Sequence, residues 1–167
     1  MSRKIENLGT KILYEVPSAC ALLFAGTAAY MSEGDPPVRE QLDNTKQQLR
    51  HWSKLYAWGA AKMPILIAAG AISAAAAYHQ SKEKMWLVGG GILMSIVPYT
   101  ILVMKKTNSN LNRILKESGD EPELKEPEKS TVIGSFGKWV NMHRGRVALA
   151  LASSAVFFVA KQYTKGA

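Results

Sequence analysis

The feature that most constrains this chain is the segment from Met85 to Met104, which has no charged residue among its 20 residues. At about 1.5 Å per residue, a helix of that length covers roughly 30 Å, which matches the hydrocarbon core of a bilayer. A surface helix of a soluble bundle carries a polar stripe where it meets water, and this segment has none. The segment therefore predicts a transmembrane helix.

Three further apolar stretches predict that the chain crosses the membrane four times. Two of them carry a single charge each, and the last is long enough only when a cationic segment at its start is included. The predicted spans cover residues 12–31, 57–78, 85–104 and 139–160. We therefore expect one all-α domain over residues 1–167, an integral membrane four-helix bundle.

The first span has some features of a cleavable signal peptide. It follows a basic arm and ends in small residues, as a secretory signal does. However, Glu15 and Pro17 interrupt it, and it exceeds the usual length of a signal core, about 7–15 residues. We expect it to be retained as a span.

The connections between the spans differ in length and polarity. The loop over residues 79–84 is short, so spans two and three must be antiparallel neighbours. Residues 32–56 open with a turn at 33–37 and then show helix-like spacing, which predicts an amphipathic helix at the interface or continuous with span two. Residues 105–138 begin as a helical extension and become acidic and interrupted by prolines. This long polar loop before span four is expected outside the bilayer, with loose order.

Small residues predict how the helices pack. Apolar surface cannot distinguish lipid from protein, so membrane helices associate through close backbone approach. The candidate contact residues are Ala21/Ala25/Ala29 and Gly26, Ala57/Ala61, Ala69/Ser73/Ala77, Gly70/Ala74 and Gly89-Gly90-Gly91.

The net charge of +8 is distributed around the spans. Lysine and arginine beside spans are the usual pattern of membrane proteins, and the chain shows no recognition helix or aromatic RNA-binding motif. We therefore expect membrane lipids as partners and no binding of nucleic acid. The single cysteine, Cys20, excludes an internal disulfide, and the isolated histidines lack the spacing of a zinc site, so no metal is expected.

A polar cluster at the start of span four is the main candidate for chemistry. Trp139, His143 and Arg146 are spaced i, i+4 and i+7, which places them on one face of a helix. In a four-span protein, the end of span three and the start of span two reach the same side of the bilayer. They contribute Lys105, Lys106, Thr107, Asn108, Asn110, Trp52, Tyr56 and Lys62. Together these residues predict a cationic pocket for an enolate or phenolate oxygen, with His143 as proton acceptor, although they also fit an aromatic belt with snorkelling cations.

The order of these features resembles a family of small four-span membrane proteins grouped with the anthrone oxygenases. The matching residues are Gly26, Trp52 and Tyr56, Pro98-Tyr99-Thr100 with Thr107, Asn108 and Leu111, and Trp139, His143 and Arg146. The resemblance implies an oxygenase that converts anthrones to anthraquinones without a cofactor. It also implies that Asn108, Trp139, His143 and Arg146 belong to the active site.

Two functions from different classes follow. The first is an oxygenase of a lipophilic aromatic substrate, with His143, Arg146 and Asn108 as catalytic candidates. Its candidate substrate-binding residues are Trp139, Trp52 and Tyr56. The second is a non-catalytic subunit or scaffold that binds partner subunits of a larger membrane complex, for example in the mitochondrial inner membrane. The polar face of span four and the resemblance favour the oxygenase, whereas the small-residue faces and the scarcity of catalytic groups favour the scaffold.

Overall fold

The computed structural model describes residues 2–165. These residues form helices joined by short turns and loops, and none of them is in a strand. The helices are α1 (Ser2–Ala29), α2 (Asp35–Arg39), α3 (Thr45–Ser81), α4 (Met85–Tyr99), α5 (Lys105–Glu117) and α6 (Glu128–Lys165). Two π-helical turns, Tyr30–Gly34 and Thr100–Met104, join α1 to α2 and α4 to α5 without a break. The prediction of an all-α fold is confirmed.

Four helical stretches are long and apolar enough to cross a membrane. Within the described residues they are Lys11–Arg39, Thr45–Ser81, Met85–Glu117 and Glu128–Thr164. Their outer surface carries large apolar side chains such as Ile72, Leu102 and Phe158, each more than half exposed. Such a surface suits lipid, and the chain is an integral membrane protein of four spans, as predicted.

The long helices form a four-membered ring. α1 packs against α3 and α6, and α4 packs against the same two helices. Because successive spans run antiparallel, α1 and α4 end where α3 and α6 begin. We call this end of the bundle, from which α5 extends, the α5 end.

Aromatic packing closes the opposite end of the bundle. The ring of Trp86 stacks on Tyr14 and Phe157, with centroid distances of 5.4 and 5.9 Å. Its indole N–H donates to Thr164 Oγ1 at 3.1 Å. Glu15, the acid of the first predicted span, forms an ion pair with Lys161 of α6. The pairing explains how an apolar helix carries this carboxylate.

Close helix contacts occur at some of the predicted small residues. The buried ones are Ala21, Ala25, Gly70, Ala74, Ala77, Gly89 and Gly90, whereas Gly26, Ala57, Ala61 and Gly91 are exposed. Ser153 Oγ donates to the Gly89 carbonyl at 2.8 Å, which joins α6 to α4. Four-residue spacing defines a row along a helix, but it does not say whether that row faces protein or lipid.

Gly89→Ala is expected to destabilise the bundle, because a methyl group on this residue would overlap the ring of Phe157. Overpacking of this kind costs about 1–3 kcal/mol, so the midpoint of thermal unfolding in detergent should fall. Gly91→Ala is the matched control, since nothing lies within 4 Å of its added methyl group. Equal midpoints for the two variants would contradict this packing of α4 on α6.

The segment before span two differs in part from the prediction. The turn predicted at 33–37 is helical, because Pro36 and Pro37 fall in the first turn of α2, where a proline sacrifices no helical hydrogen bond. The chain reverses instead at residues 40–44. The predicted amphipathic helix is continuous with span two, and Asn44 caps it by accepting a hydrogen bond from the Gln47 N–H at 3.0 Å.

Residues 105–138, predicted as a polar loop that begins with a helical extension, contain more helix than predicted. α5 occupies its first part and α6 begins at Glu128, so only residues 118–127 lack a regular helix. Apolar side chains on one face of each helix are buried in the core, namely Leu111, Ile114, Val132 and Phe136. Their burial keeps the helices ordered although most of their other residues are polar.

One lysine fastens the remaining loop to the bundle. Lys46, buried at the start of α3, donates through Nζ to the carbonyl oxygens of Ser118 at 3.0 Å and Gly119 at 2.9 Å. It also donates to the carbonyl oxygen of Glu121. The ordered loop therefore differs from the loosely ordered segment that its composition predicts.

Candidate functional site

A cavity of about 270 Å³ lies inside the bundle near the α5 end. Its walls come from α3, α4, the second π-helical turn, the start of α5 and α6, with Met31 of the first π-helical turn completing them. The lining residues with polar atoms are Tyr56, Thr100, Asn108, Trp139, His143 and Arg146. The rest of the described lining is apolar. A mostly apolar pocket with a few convergent polar groups is the usual form of a small-molecule site.

Five of the six predicted site residues line this cavity. These are His143, Arg146, Asn108, Trp139 and Tyr56. The sixth, Trp52, lies behind the wall, where its ring meets Trp139 edge to face at 6.2 Å and stacks on Tyr56 at 5.2 Å. Trp52 therefore holds two wall residues in place from behind.

The cationic frame predicted around the pocket is smaller than expected. Lys62, Lys105 and Lys106 are exposed on the outer surface. Arg146 is the one lysine or arginine among the described lining residues. Long lysine side chains near span ends reach the headgroup region, which leaves the cavity with a single buried cation.

His143 is held with one ring nitrogen unpaired. Its side chain is buried, and its ring lies 4.0 Å from the ring of Trp139, centroid to centroid. Its Nε2 lies 3.2 Å from Met31 Sδ. With the proton on Nε2 and directed at the thioether, Nδ1 carries the lone pair, and Nδ1 has no hydrogen-bond partner in the described chain. In that tautomer the imidazole is neutral and has an unpaired lone pair on Nδ1.

Arg146 is a buried cation without a carboxylate partner in the described part of the chain. Its guanidinium donates to Met63 Sδ at 3.4 Å and lies over the ring of Phe24, with Cζ 4.9 Å from the ring centroid. Its Nε is buried without a partner. Because a thioether and a ring do not neutralise a charge, this site favours an anion in the cavity.

Arg144, two residues earlier on α6, has the usual surroundings of an arginine on a protein surface. It is exposed and forms a bidentate pair with Glu33, at 2.7 Å from Nε and 3.1 Å from Nη2. Exposed pairs of this kind contribute little to stability, because water screens the two charges. The two arginines differ in burial and in partner, so they make a matched pair for experiment.

The two π-helical turns both contribute to the cavity. Met31 comes from the first turn, and Thr100, Ile101 and Met104 come from the second. The second turn follows Pro98, which has no N–H to donate to the preceding turn of helix. π-helical turns within α-helices are rare and occur frequently at functional sites.

Tyr99 fixes α4 against α6 at the level of the site. Its hydroxyl donates to the carbonyl oxygen of Met142 at 3.2 Å. A side chain on Gly145 would overlap the Tyr99 ring, so glycine permits this close approach. The contact holds the backbone on both sides of His143 in place.

The apolar walls of the cavity were not predicted, because no polar cluster in the sequence marks them. The helical spacing of Tyr56, Ala60, Met63 and Ile67 is a signal that could have extended the site along α3. Met31 has no such signal, since its place depends on how α1 packs on α6.

The described chain contains no group of three His, Cys, Asp or Glu side chains placed to hold a metal ion. The polar groups of the lining residues are an imidazole, a guanidinium, an amide, an indole and two hydroxyls. Such groups bind an organic anion through its oxygen and exchange a proton with it.

Comparison with known proteins shows a family relationship. The anthrone oxygenase family model matches residues 52–156, a segment that contains all six predicted site residues. An anthrone oxygenase of Claviceps purpurea (strain 20.1) is 32% identical over 114 residues. That alignment covers 64% of this chain and 63% of the relative, just under two thirds of its length. No solved structure matches the chain.

A family match over more than half of the chain, together with a bundle of four spans, shows the family of this protein. The chain belongs to the anthrone oxygenase family.

Proposed function

We propose that this chain is a membrane oxygenase that converts a lipophilic anthrone-like substrate to a quinone, with dioxygen as oxidant and no bound cofactor. The observation that carries the proposal is one apolar cavity lined by both an unneutralised buried cation, Arg146, and an imidazole with an unpaired nitrogen, His143. An anthrone has an acidic CH₂ group opposite its carbonyl, and its conjugate base is an enolate with negative charge on oxygen. His143 can take the proton from the CH₂ group, and Arg146 can hold the enolate oxygen.

The reaction begins with proton transfer. His143 takes one proton from the CH₂ carbon through its unpaired Nδ1, and the electron pair passes into the ring system. The enolate oxygen is held by the guanidinium of Arg146 and the side-chain N–H of Asn108. An ion pair of this kind is stronger in an apolar cavity than in water, because the local dielectric constant is low.

Dioxygen then supplies the oxidising power. One electron passes from the enolate to dioxygen, and the superoxide and carbon radical combine in a new C–O bond. The peroxide takes back the proton from His143. Loss of the second C–H proton and cleavage of the O–O bond release water and leave a carbonyl. One oxygen atom stays in the quinone, the other leaves in water, and the four electrons lost by the carbon reduce the dioxygen.

The alternative of a non-catalytic scaffold, in an organellar membrane or elsewhere, has less support. A scaffold needs neither a cavity nor buried polar atoms without partners. Among the described residues such atoms occur at six side chains, and four of these, Asn108, Trp139, His143 and Arg146, line the cavity, whereas Arg39 and Trp52 do not. Each such atom costs stability unless a ligand or water pairs with it. The convergence of four of these side chains on one cavity favours an enzyme.

The test is anthrone oxidation by the purified protein in lipid nanodiscs. We expect quinone formation with equimolar uptake of dioxygen, at least ~100-fold faster than in empty nanodiscs, which measure autoxidation. With ¹⁸O₂, one labelled atom should appear in each quinone. A metal chelator should leave the rate unchanged. A rate equal to that of empty nanodiscs would overturn the proposal.

A further inference from the structure

We propose that the substrate enters the cavity sideways from the bilayer, through an opening between α3 and α4. Its rim is formed by Ala60, Pro64, Val97 and Ile101, and we call it the lateral portal. The identity of the substrate as a lipophilic aromatic molecule rests on the proposed function, whereas the opening is argued from the described structure.

The rim residues belong to two surfaces at once. All four line the cavity, and all four are exposed on the outside of the bundle. Val97 is 36% exposed and Ile101 is 55% exposed. In contrast, His143 on the inner wall is 2% exposed. The cavity therefore opens on its apolar side and keeps its reactive groups at the back.

The depth of the portal follows from the helix rise. Ala60 and Pro64 lie roughly 5 and 10 Å inside the start of the apolar stretch 57–78, at about 1.5 Å per residue. Ile101 and Val97 lie at the same depths inside the end of the stretch 85–104, by the same rise. The lateral portal therefore faces hydrocarbon and lies below the lipid headgroups.

The portal lies where α3 and α4 are not in close contact. Toward the opposite end of the bundle the two helices touch closely, because a Cβ on Gly70 would overlap Leu93 and a Cβ on Gly90 would meet Ala74 at 3.4 Å. Near the α5 end, α3 is not packed closely against the second π-helical turn that continues α4, and the small Ala60 lies on this part of α3. The same two helices therefore seal one half of the groove and leave the other open.

The chemistry of the rim selects the ligand. None of the four rim residues carries a charge or a side-chain hydrogen-bonding group. A planar aromatic hydrocarbon skeleton, which concentrates in the bilayer, passes such a rim without losing hydrogen bonds. A water-soluble anion would have to lose its hydration first. The apolar quinone product can leave by the same route.

Binding kinetics test the portal without requiring turnover. The ligand is a hydroxyanthraquinone added to the protein in vesicles, and its arrival is followed by quenching of tryptophan fluorescence in a stopped-flow instrument, since Trp139 lines the cavity. Ala60→Phe should slow binding and release together by tenfold or more, because it narrows the passage. Ala61→Phe is the matched control on the neighbouring exposed position and should leave both rates unchanged.

A second pair of variants keeps the test valid if Ala60→Phe does not fold. Ile101→Trp on the rim should slow binding, whereas Leu102→Trp, at a position that is 82% exposed, should not. With wild type, the rate should follow the ratio of ligand to lipid and not the total ligand concentration when more lipid is added. Equal rates for rim and control variants, or no saturable binding to wild type, would overturn the lateral portal.

The outcome is separable from that of the proposed function. Slower binding in the rim variants of a protein that oxidises no anthrone would support the portal and contradict the reaction. Normal binding rates in rim variants of an active oxygenase would support the reaction and contradict the portal.

Discussion

His143→Gln is expected to lower the turnover rate of anthrone oxidation by about 10²–10⁴-fold, the usual loss when a general base is removed. The variant keeps a polar side chain of similar length beside Met31 but has no basic nitrogen. Binding of the quinone should change little, because Arg146 and the apolar walls are intact. The loss should therefore appear in kcat and not in KM.

The pH profile separates a base from a merely structural residue. Without His143, hydroxide becomes the base, so the residual rate of the variant should rise with pH in proportion to hydroxide concentration. His79→Gln is the control, since His79 is exposed near the end of α3, far from the cavity. If His143→Gln turned over within threefold of wild type, His143 would not be the base.

Arg146→Met is expected to lower kcat/KM by about 10²–10³-fold, the effect of losing one electrostatic contact to a developing oxyanion. Methionine keeps much of the apolar contact with Phe24 and Met63 but carries no charge. Removal of an unneutralised buried cation should leave stability unchanged or raised. Loss of activity with retained or increased thermal stability is the signature of a residue kept for function.

Arg144→Met is the matched control for this prediction. It removes an arginine from the same helix, but one that is exposed and paired with Glu33. It should change thermal stability little and leave oxidation unchanged, because water screens an exposed ion pair. The assignment of Arg146 would be wrong if the Arg146 variant unfolded at lower temperature than the Arg144 variant and kept its activity.

Part of the site could be predicted because helical periodicity is local. Trp139, His143 and Arg146 share one face of any α-helix, whatever surrounds it, and the reversal of successive spans brings Asn108 and Tyr56 to the same end. Their presence around one cavity follows from these two rules. Their roles in catalysis stay predictions until the variants are measured.

Other features could not be predicted, because they depend on which face of each helix meets protein. Ala57 and Ala61 have the same small-residue spacing as Gly70 and Ala74, yet the first pair is exposed and the second is buried. Hydrophobicity does not decide between the two inside a membrane, where lipid and protein interior are equally apolar. The helical content of residues 105–138 was underestimated for a related reason, since the few apolar residues in that polar segment form a face only when a core is present.

The sequence by itself determined the number of spans, the membrane as solvent and the polar face that opens span four, since each follows from length, composition and helical period. Only the tertiary structure decided that Arg146 is buried without a carboxylate partner among the described residues, while Arg144 is exposed and paired with Glu33. It also decided that residues of α3 and α4 which line the cavity are exposed on the outer surface as well. The physical reason is that burial and pairing arise from contacts between helices distant in sequence, and no local pattern encodes how far apart two packed helices stand.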